Sequence, residues 1–156
     1  MSKSAKIRYR PNAAAILENS GGQIFVAERI DRPGAWQFPQ GGIDGEESAK
    51  KAIIREIEEE IGIKKKHLKI LESKEGYRYE FSHGRVKWGY QGQQQIYFRI
   101  LFTGKKKHIR LDTKKPEFMD YRWIEPAQYR LKWLPSFKRE VYKAVWRDFF
   151  DIELKD

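Results

Sequence analysis

The chain has 156 residues, 40% of them hydrophobic, enough for one domain over residues 1–156 with a single core. It has no cysteine, which excludes disulfides and zinc sites built on thiolates; no apolar run approaches the ~18 residues of a membrane span, and Met1–Arg10 lacks an apolar signal core, so no membrane contact and a cytoplasmic location are expected. The net charge of +10, from 32 Lys and Arg against 22 Asp and Glu, suits a polyanionic substrate drawn in by long-range attraction, and equally suits a Lys/Glu-rich surface chosen for solubility or heat tolerance.

Residues Tyr9–Leu17 predict a buried strand, Glu18-Asn-Ser-Gly-Gly a hairpin turn, and Gln23–Arg29 the partner strand. Arg10 and Arg29 sit at the ends of this hairpin, where each reads as an ordinary exposed strand-edge residue. Asp31-Arg-Pro-Gly-Ala is a turn. Trp36 and Phe38 then resume an alternating strand that feeds a glycine turn at Gly41-Gly42, where the backbone has room to pass close to another group.

From there the spacing predicts a helix reaching Ile61, with Ser48 in its first turn, Glu46 and Glu47 as early acids and Gly62 as a left-handed stop. Glu56, Glu59 and Glu60 fall at i, i+3 and i+4, within roughly a third of the helix circumference, and Glu58 points nearly the opposite way. Ile53, Ile57 and Ile61 form the apolar stripe beside them, so the three acids stand at the rim of the core. Like charges at this spacing each destabilise a helix by a few tenths of a kcal/mol, a cost that a bound cation reverses. Oxygen-only donors suit Mg²⁺, with Mn²⁺ as substitute; the plain alternative is a solvated acidic face.

Beyond the helix, Lys64-Lys-Lys-His opens a basic connection and Leu68–Ser73 predicts a short strand. Tyr77, Tyr79 and Phe81 alternate onto one face, either as core packing or as a row that stacks nucleobases. Ser82–Gln91 is glycine-spaced, carries Lys87, Trp88 and Tyr90, and predicts a long hairpin tip near the substrate. Gln93–Phe102 is a strong strand pattern, and Lys105-Lys-Lys-His a solvated turn, since three lysines alone do not make a binding site. Pro116-Glu117-Phe118 leads into a strand at Met119–Ile124. Pro135-Ser-Phe-Lys138-Arg139 starts an amphipathic helix burying Val141, Val145 and Phe149; cations at its start are unfavourable to the dipole unless they face an anion. His67, His83 and His108 are scattered surface residues with no triad or zinc arrangement.

Gly41, five residues, Glu47, seven residues, Arg55-Glu56-Ile57, one residue, Glu59-Glu60, one residue, Gly62-Ile63 resembles the Nudix box at every defined position. With Tyr9-Arg-Pro-Asn, Trp36-Gln-Phe-Pro-Gln-Gly-Gly, Gly92-Gln-Gln-Gln, Pro116-Glu-Phe and Ser136-Phe-Lys-Arg, nearly the whole chain resembles the bacterial RNA pyrophosphohydrolase and dinucleoside polyphosphate hydrolase branch of that superfamily. The chain departs from it in placing Gly45 one residue early, with Glu46 before Glu47, and in carrying Ile96 where relatives have a basic residue.

The resemblance implies an α/β Nudix fold, an α/β/α sandwich with a central mixed β-sheet between the two helices. It implies Mg²⁺-dependent hydrolysis of a pyrophosphate bond, first of all removal of pyrophosphate from triphosphorylated RNA 5′ ends, with dinucleoside tetraphosphates as the alternative substrate; a monomer or weak dimer is the expected assembly. A catalytically silent nucleotide-binding module is disfavoured by the intact acids. Implied metal-site residues are Gly41 through its carbonyl, Glu56, Glu59, Glu60 and Glu117. Glu59 and Glu117 both qualify as general base, and Arg55 orients the carboxylates. Arg10, Arg29, Tyr79, Gln95 and Lys138 are the implied substrate contacts.

Overall fold

The computed structural model describes residues 6–155; the first five residues and Asp156, which the expected domain range includes, lie outside them. Among the described residues, seven strands and two helices follow in the order β1 (Tyr9–Glu18), β2 (Ile24–Arg29), β3 (Trp36–Gln37), β4 (Gln40–Gly42), α1 (Ala49–Ile61), β5 (Leu68–Glu80), β6 (Gly92–Phe102), β7 (Phe118–Ile124) and α2 (Ser136–Phe150). Five strands run β3-β2-β1-β6-β5 across the sheet, while β4 pairs with β1 and β7 with β2. Of these strands only β1 and β6 run parallel, from Tyr9 opposite Gly92 to Glu18 opposite Leu101; every other pairing is antiparallel, so the sheet is mixed.

The run of three alanines in β1 is explained by its central position. Side chains alternate across a strand, and both faces of β1 are covered. Ala13, Ala15 and Leu17 pack with Ile53, Ile57 and Ile61 of α1. Ala14 and Ile16 pack with Val141, Val145 and Trp146 of α2 on the other face. Small side chains let both helices approach the middle of the sheet.

Both helix boundaries are chemical. Ser48 is the N-cap of α1 rather than a residue of its first turn, and its hydroxyl accepts from the Lys51 N–H at 3.2 Å. Gly62 ends α1 at φ 72°, its N–H donating to the Glu58 carbonyl at 3.0 Å. The helix α2 stops at Asp151, also left-handed.

Two elements differ from the sequence expectation. Strand β5 continues from Leu68 to Glu80 instead of ending at Ser73, absorbing Gly76 through register shifts at Ile70/Glu72 and Lys74/Tyr77. The pair Gly41-Gly42, expected as a turn, lies with Gln40 in a strand whose residues Gln40, Gly41 and Gly42 pair with Ala14, Ala13 and Asn12 of β1. That pairing places the two glycines against α1 and β1, and the site is built on it.

Candidate active site

Gly41 and Gly42 are required by close approach. A β-carbon on Gly41 would fall 2.0 Å from the Glu56 carboxyl carbon, and one on Gly42 would fall 2.2 Å from the Arg10 guanidinium. The β4 backbone is thus wedged between a carboxylate of α1 and a cation of β1. The next residue back fixes a second acid, since the Gln40 N–H donates to Glu60 Oε1 at 3.1 Å.

The acids of α1 occupy graded environments. Glu60 is only 7% exposed; burial raises its carboxyl well above the usual range, and the nearby charges of Glu56 and Glu117 push it further. Burial also raises Glu56, against the pull of Arg55. Glu59 is exposed at the rim. These three, with Arg55, Glu58, Thr113, Lys114, Lys115 and Glu117, line a cleft of about 750 Å³. Glu58 therefore borders the cleft as well, although its carboxylate is held outward by Lys64 at 2.9 Å.

Arg55 organises the group. Its Nε and Nη2 donate in a fork to Glu47, both at 2.9 Å, its Nη2 also reaches the Gly42 carbonyl at 3.0 Å, and its Nη1 donates to Glu56 at 2.8 Å and to Glu59 at 3.3 Å. The bond from Arg55 holds the Glu47 carboxyl down at about 2, and the same acids raise Arg55 further above its ordinary value. Glu117 enters from the residue before β7: the Ile30 N–H donates to the Glu117 carbonyl at 3.0 Å, and the next residue, Phe118, pairs with Arg29. Among the described residues its side chain has no ion-pair partner.

Among the described residues no three acids converge on one closed cage, because Arg55 draws Glu56 and Glu59 to itself. The donor set nevertheless fits a hard divalent cation: buried Glu60, half-buried Glu56 and exposed Glu59 and Glu117 are all oxygen donors, and Glu60 pays an electrostatic penalty that a cation removes. The missing side chain at Gly41 keeps the approach to Glu56 open.

The expected substrate residues divide. Lys138 is 8% exposed, makes no hydrogen bond or ion pair through its ammonium among the described residues, and lies 5.9 Å from the ring centroids of Tyr79 and Phe137. Burial lowers its pKa to about 7, with the charges of Arg29, Lys87 and Arg32 acting in the same direction. Arg29 forks onto Asp31, with Nε to Oδ1 at 2.7 Å. Arg10 lies 4.1 Å over the ring of Trp88, an exposed residue at the hairpin tip. Arg29, Arg32 and Lys87 gather around Lys138 in the first turn of α2.

Tyr79 and Gln95 do not reach an open surface. Tyr79 is 7% exposed, its ring against Phe81 and Phe137 and its oxygen accepting from Gln93 at 2.8 Å; the face expected for stacking a base is covered by core packing. Gln95 is 1% exposed and donates to Asn12 at 2.9 Å and Gln40 at 2.6 Å, tying β6 to β1 and β4. Its amide positions the strand carrying Gly41.

Sequence reasoning missed the wall formed by Thr113, Lys114 and Lys115, whose only signal was its position just before Pro116-Glu117. Thr113 carries a buried hydroxyl with no hydrogen-bond partner among the described residues. It also missed Asp44, 3.3 Å from Arg55, because a loop acid three residues before Glu47 belongs to no helical spacing.

Comparison with known proteins gives the family. A NUDIX domain model matches residues 8–145. An RNA pyrophosphohydrolase of a Nitratiruptor species is 45% identical over 150 residues, covering 92% of this chain and 95% of the relative. One from Ectopseudomonas mendocina is 40% identical over 146 residues, covering 90% and 91%. The crystal structure of a Nudix hydrolase from M. smegmatis superposes with a TM-score of 0.65 at 16% identity, over 94% of this chain and 89% of that one, a likeness of fold alone. With the family model spanning the glycine strand, the acidic helix and most of α2, the chain belongs to the NUDIX family of hydrolases.

Proposed function

We propose that this hydrolase removes pyrophosphate from the triphosphorylated 5′ end of RNA, using Mg²⁺ held on the acidic face of α1. The observation that carries the reading is the pairing of an acid-lined cleft with a buried Lys138, without a partner among the described residues, beside Arg29, Arg32 and Lys87. Phosphate anhydrides repel an incoming nucleophile, so a catalyst must offset charge along the whole phosphate chain and align water with the leaving group. The relatives named RNA pyrophosphohydrolase support RNA as the carrier of that chain.

Glu56, Glu59 and Glu60, with the Gly41 carbonyl, would hold the divalent cation, which when bound neutralises the phosphates and makes water more acidic. Glu117 accepts the proton of the attacking water: its carboxylate borders the cleft and, among the described residues, is not engaged by Arg55. The water oxygen bonds to phosphorus, the bridging oxygen departs with the pyrophosphate, and the RNA keeps a 5′-monophosphate. Arg55 keeps Glu56 and Glu59 in place through its fork to Glu47. Arg10, Arg29 and Lys138 bind phosphates and the first nucleotides, with Tyr79 and Gln95 supporting the wall beneath them.

Product analysis tests the assignment. With Mg²⁺ present, a triphosphorylated RNA oligomer should yield pyrophosphate and 5′-monophosphorylated RNA. Absence of that product under conditions that support hydrolysis of another nucleotide contradicts it.

A further inference from the structure

The two Lys-Lys-Lys-His segments, at residues 64–67 and 105–108, take no part in the chemistry above. In the fold they form a matched pair. Each is a single 3₁₀ turn, Lys65–His67 and Lys106–His108, entered from a lysine. Each is closed by its histidine N–H, donating to the Lys64 carbonyl at 3.0 Å and to the Lys105 carbonyl at 2.8 Å. The imidazoles of His67 and His108 stack at 4.0 Å between centroids, 21° from parallel. Histidines scattered in the sequence thus meet as the seam between two basic turns.

The pair is fixed in place. The Thr103 N–H donates to the His67 carbonyl at 2.9 Å, and the Arg110 N–H to the Ile61 carbonyl at 2.8 Å, which locks the second turn against the end of α1. His108 Nδ1 accepts from the Lys105 N–H at 2.8 Å. Gly104 is needed beside it, since a β-carbon there would lie 2.8 Å from that nitrogen. All six lysines of the two turns are exposed. Among the described residues only Lys64 has an ion-pair partner, Glu58.

Five lysines without an ion-pair partner among the described residues, carried on two turns that meet at stacked histidines, repel wherever they come within the Debye length, about 8 Å at physiological salt. A row of anionic groups would reverse that cost. The first turn meets the active-site cleft through Lys64, bonded at 2.9 Å to Glu58 of the lining, and the chain leaving the second turn supplies Thr113, Lys114 and Lys115 to the same lining. Lysines thus stand both at the turns and in the cleft lining, with the Arg110–Asp112 pair, 3.2 Å apart, on the segment between.

We propose that the paired Lys-Lys-Lys-His turns bind the ribose-phosphate backbone of single-stranded RNA downstream of the 5′ end held in the cleft, a reading that rests on the proposed RNA substrate. A polyanionic chain with regularly spaced charges matches two basic turns and the Lys114-Lys115 lead better than a compact anion does. The attraction is set by backbone charge, so it carries no base preference.

The test replaces Lys65, Lys66, Lys105, Lys106 and Lys107 with glutamine together, leaving Lys64 on Glu58. Binding of a 20-nucleotide single-stranded RNA with a 5′-hydroxyl, which brings no triphosphate to the cleft, should weaken at least about tenfold, and its log-log salt slope should fall by about 0.7 for each phosphate that is no longer neutralised. The ring protons of His67 and His108 should shift when that RNA is added to the parent protein. Hydrolysis of a triphosphorylated trinucleotide should stay within twofold of the parent, whereas a triphosphorylated 20-mer loses its advantage. Unchanged 20-mer affinity and salt slope in a folded variant overturns the proposal. Unshifted histidines, or parent binding through these lysines to anionic phosphatidylserine vesicles and not to RNA, does the same. Failure of the parent to hydrolyse any triphosphorylated RNA overturns the substrate reading instead, leaving the 20-mer binding result to decide on the turns.

Discussion

Replacing Lys138 with methionine should stabilise the free protein and weaken its action on RNA. The ammonium is buried, has no partner among the described residues, and titrates at about 7 in place of an ordinary 10.5. A lysine whose folded pKa lies below its unfolded value costs stability at every pH below the unfolded value, because the unfolded chain holds the proton more tightly. Integrating that difference gives about 4 kcal/mol at pH 7. Water entry and local relaxation reduce such figures, so a gain of about 2 kcal/mol is expected from the nearly isosteric methionine. For a chain of this size that raises Tm by about 4–8 °C. The gap between variant and parent should narrow as pH climbs from 7 towards 10.5, where the folded parent has shed the proton and the unfolded chain has not. Over the same substitution, kcat/KM on triphosphorylated RNA should fall about 10–100-fold, the worth of a charged hydrogen bond to phosphate. Thermal unfolding from pH 7 to pH 10, with parallel turnover, checks both. A Tm at pH 7 equal to or below that of the parent refutes the buried-cation argument, and unchanged RNA turnover refutes the role given to Lys138.

Glu60→Gln and Glu56→Gln should each lower turnover at least about 10²-fold at saturating Mg²⁺ with the fold intact by circular dichroism, since the transition-state charge loses a ligand; Glu58→Gln, tied to Lys64, should stay within about twofold. Glu117→Ala should cut the rate more than about tenfold while moving Tm by only a few degrees, as for an exposed loop acid; an unchanged rate removes it as the base. Arg55→Lys should release Glu47 from about 2 towards its ordinary value of 4.5, read by carboxyl chemical shifts against pH, with a fall in turnover. The stability that Glu47 contributes is present above about pH 4.5 and is lost as pH falls towards 2, a loss that the lysine variant should not show.

The acidic face was legible because helical periodicity alone puts Glu56, Glu59 and Glu60 together, and Gly62 marks where the helix must stop. The strands of the hairpin at residues 9–29 were legible for a similar reason, through an apolar run broken by Asn19-Ser-Gly-Gly. What local pattern cannot carry is contact across the sheet. Gln95 reads as an accessible polar residue, yet the parallel pairing of β1 with β6 sets it opposite Asn12 and seals it. Tyr79 belongs to an alternation that fits core and surface equally, and the packing of Phe137 from α2 decides for the core. The stacking of His67 on His108 joins two loops 41 residues apart, and no spacing rule reaches that far. Lys138 was marked by its adverse position at a helix start, but its burial among other cations is visible only once α2 lies on the sheet.

If the chain acts on RNA 5′ ends as proposed, it holds more of the RNA than its 5′-triphosphate. The most direct measurement is kcat/KM for pyrophosphate release from triphosphorylated RNA of several nucleotides, beside diadenosine tetraphosphate and a free nucleoside triphosphate, in the same Mg²⁺ buffer at two salt concentrations. RNA should be the best substrate, with an advantage that grows with its length and shrinks in salt. Diadenosine tetraphosphate better by about tenfold, together with no effect of RNA length, contradicts it.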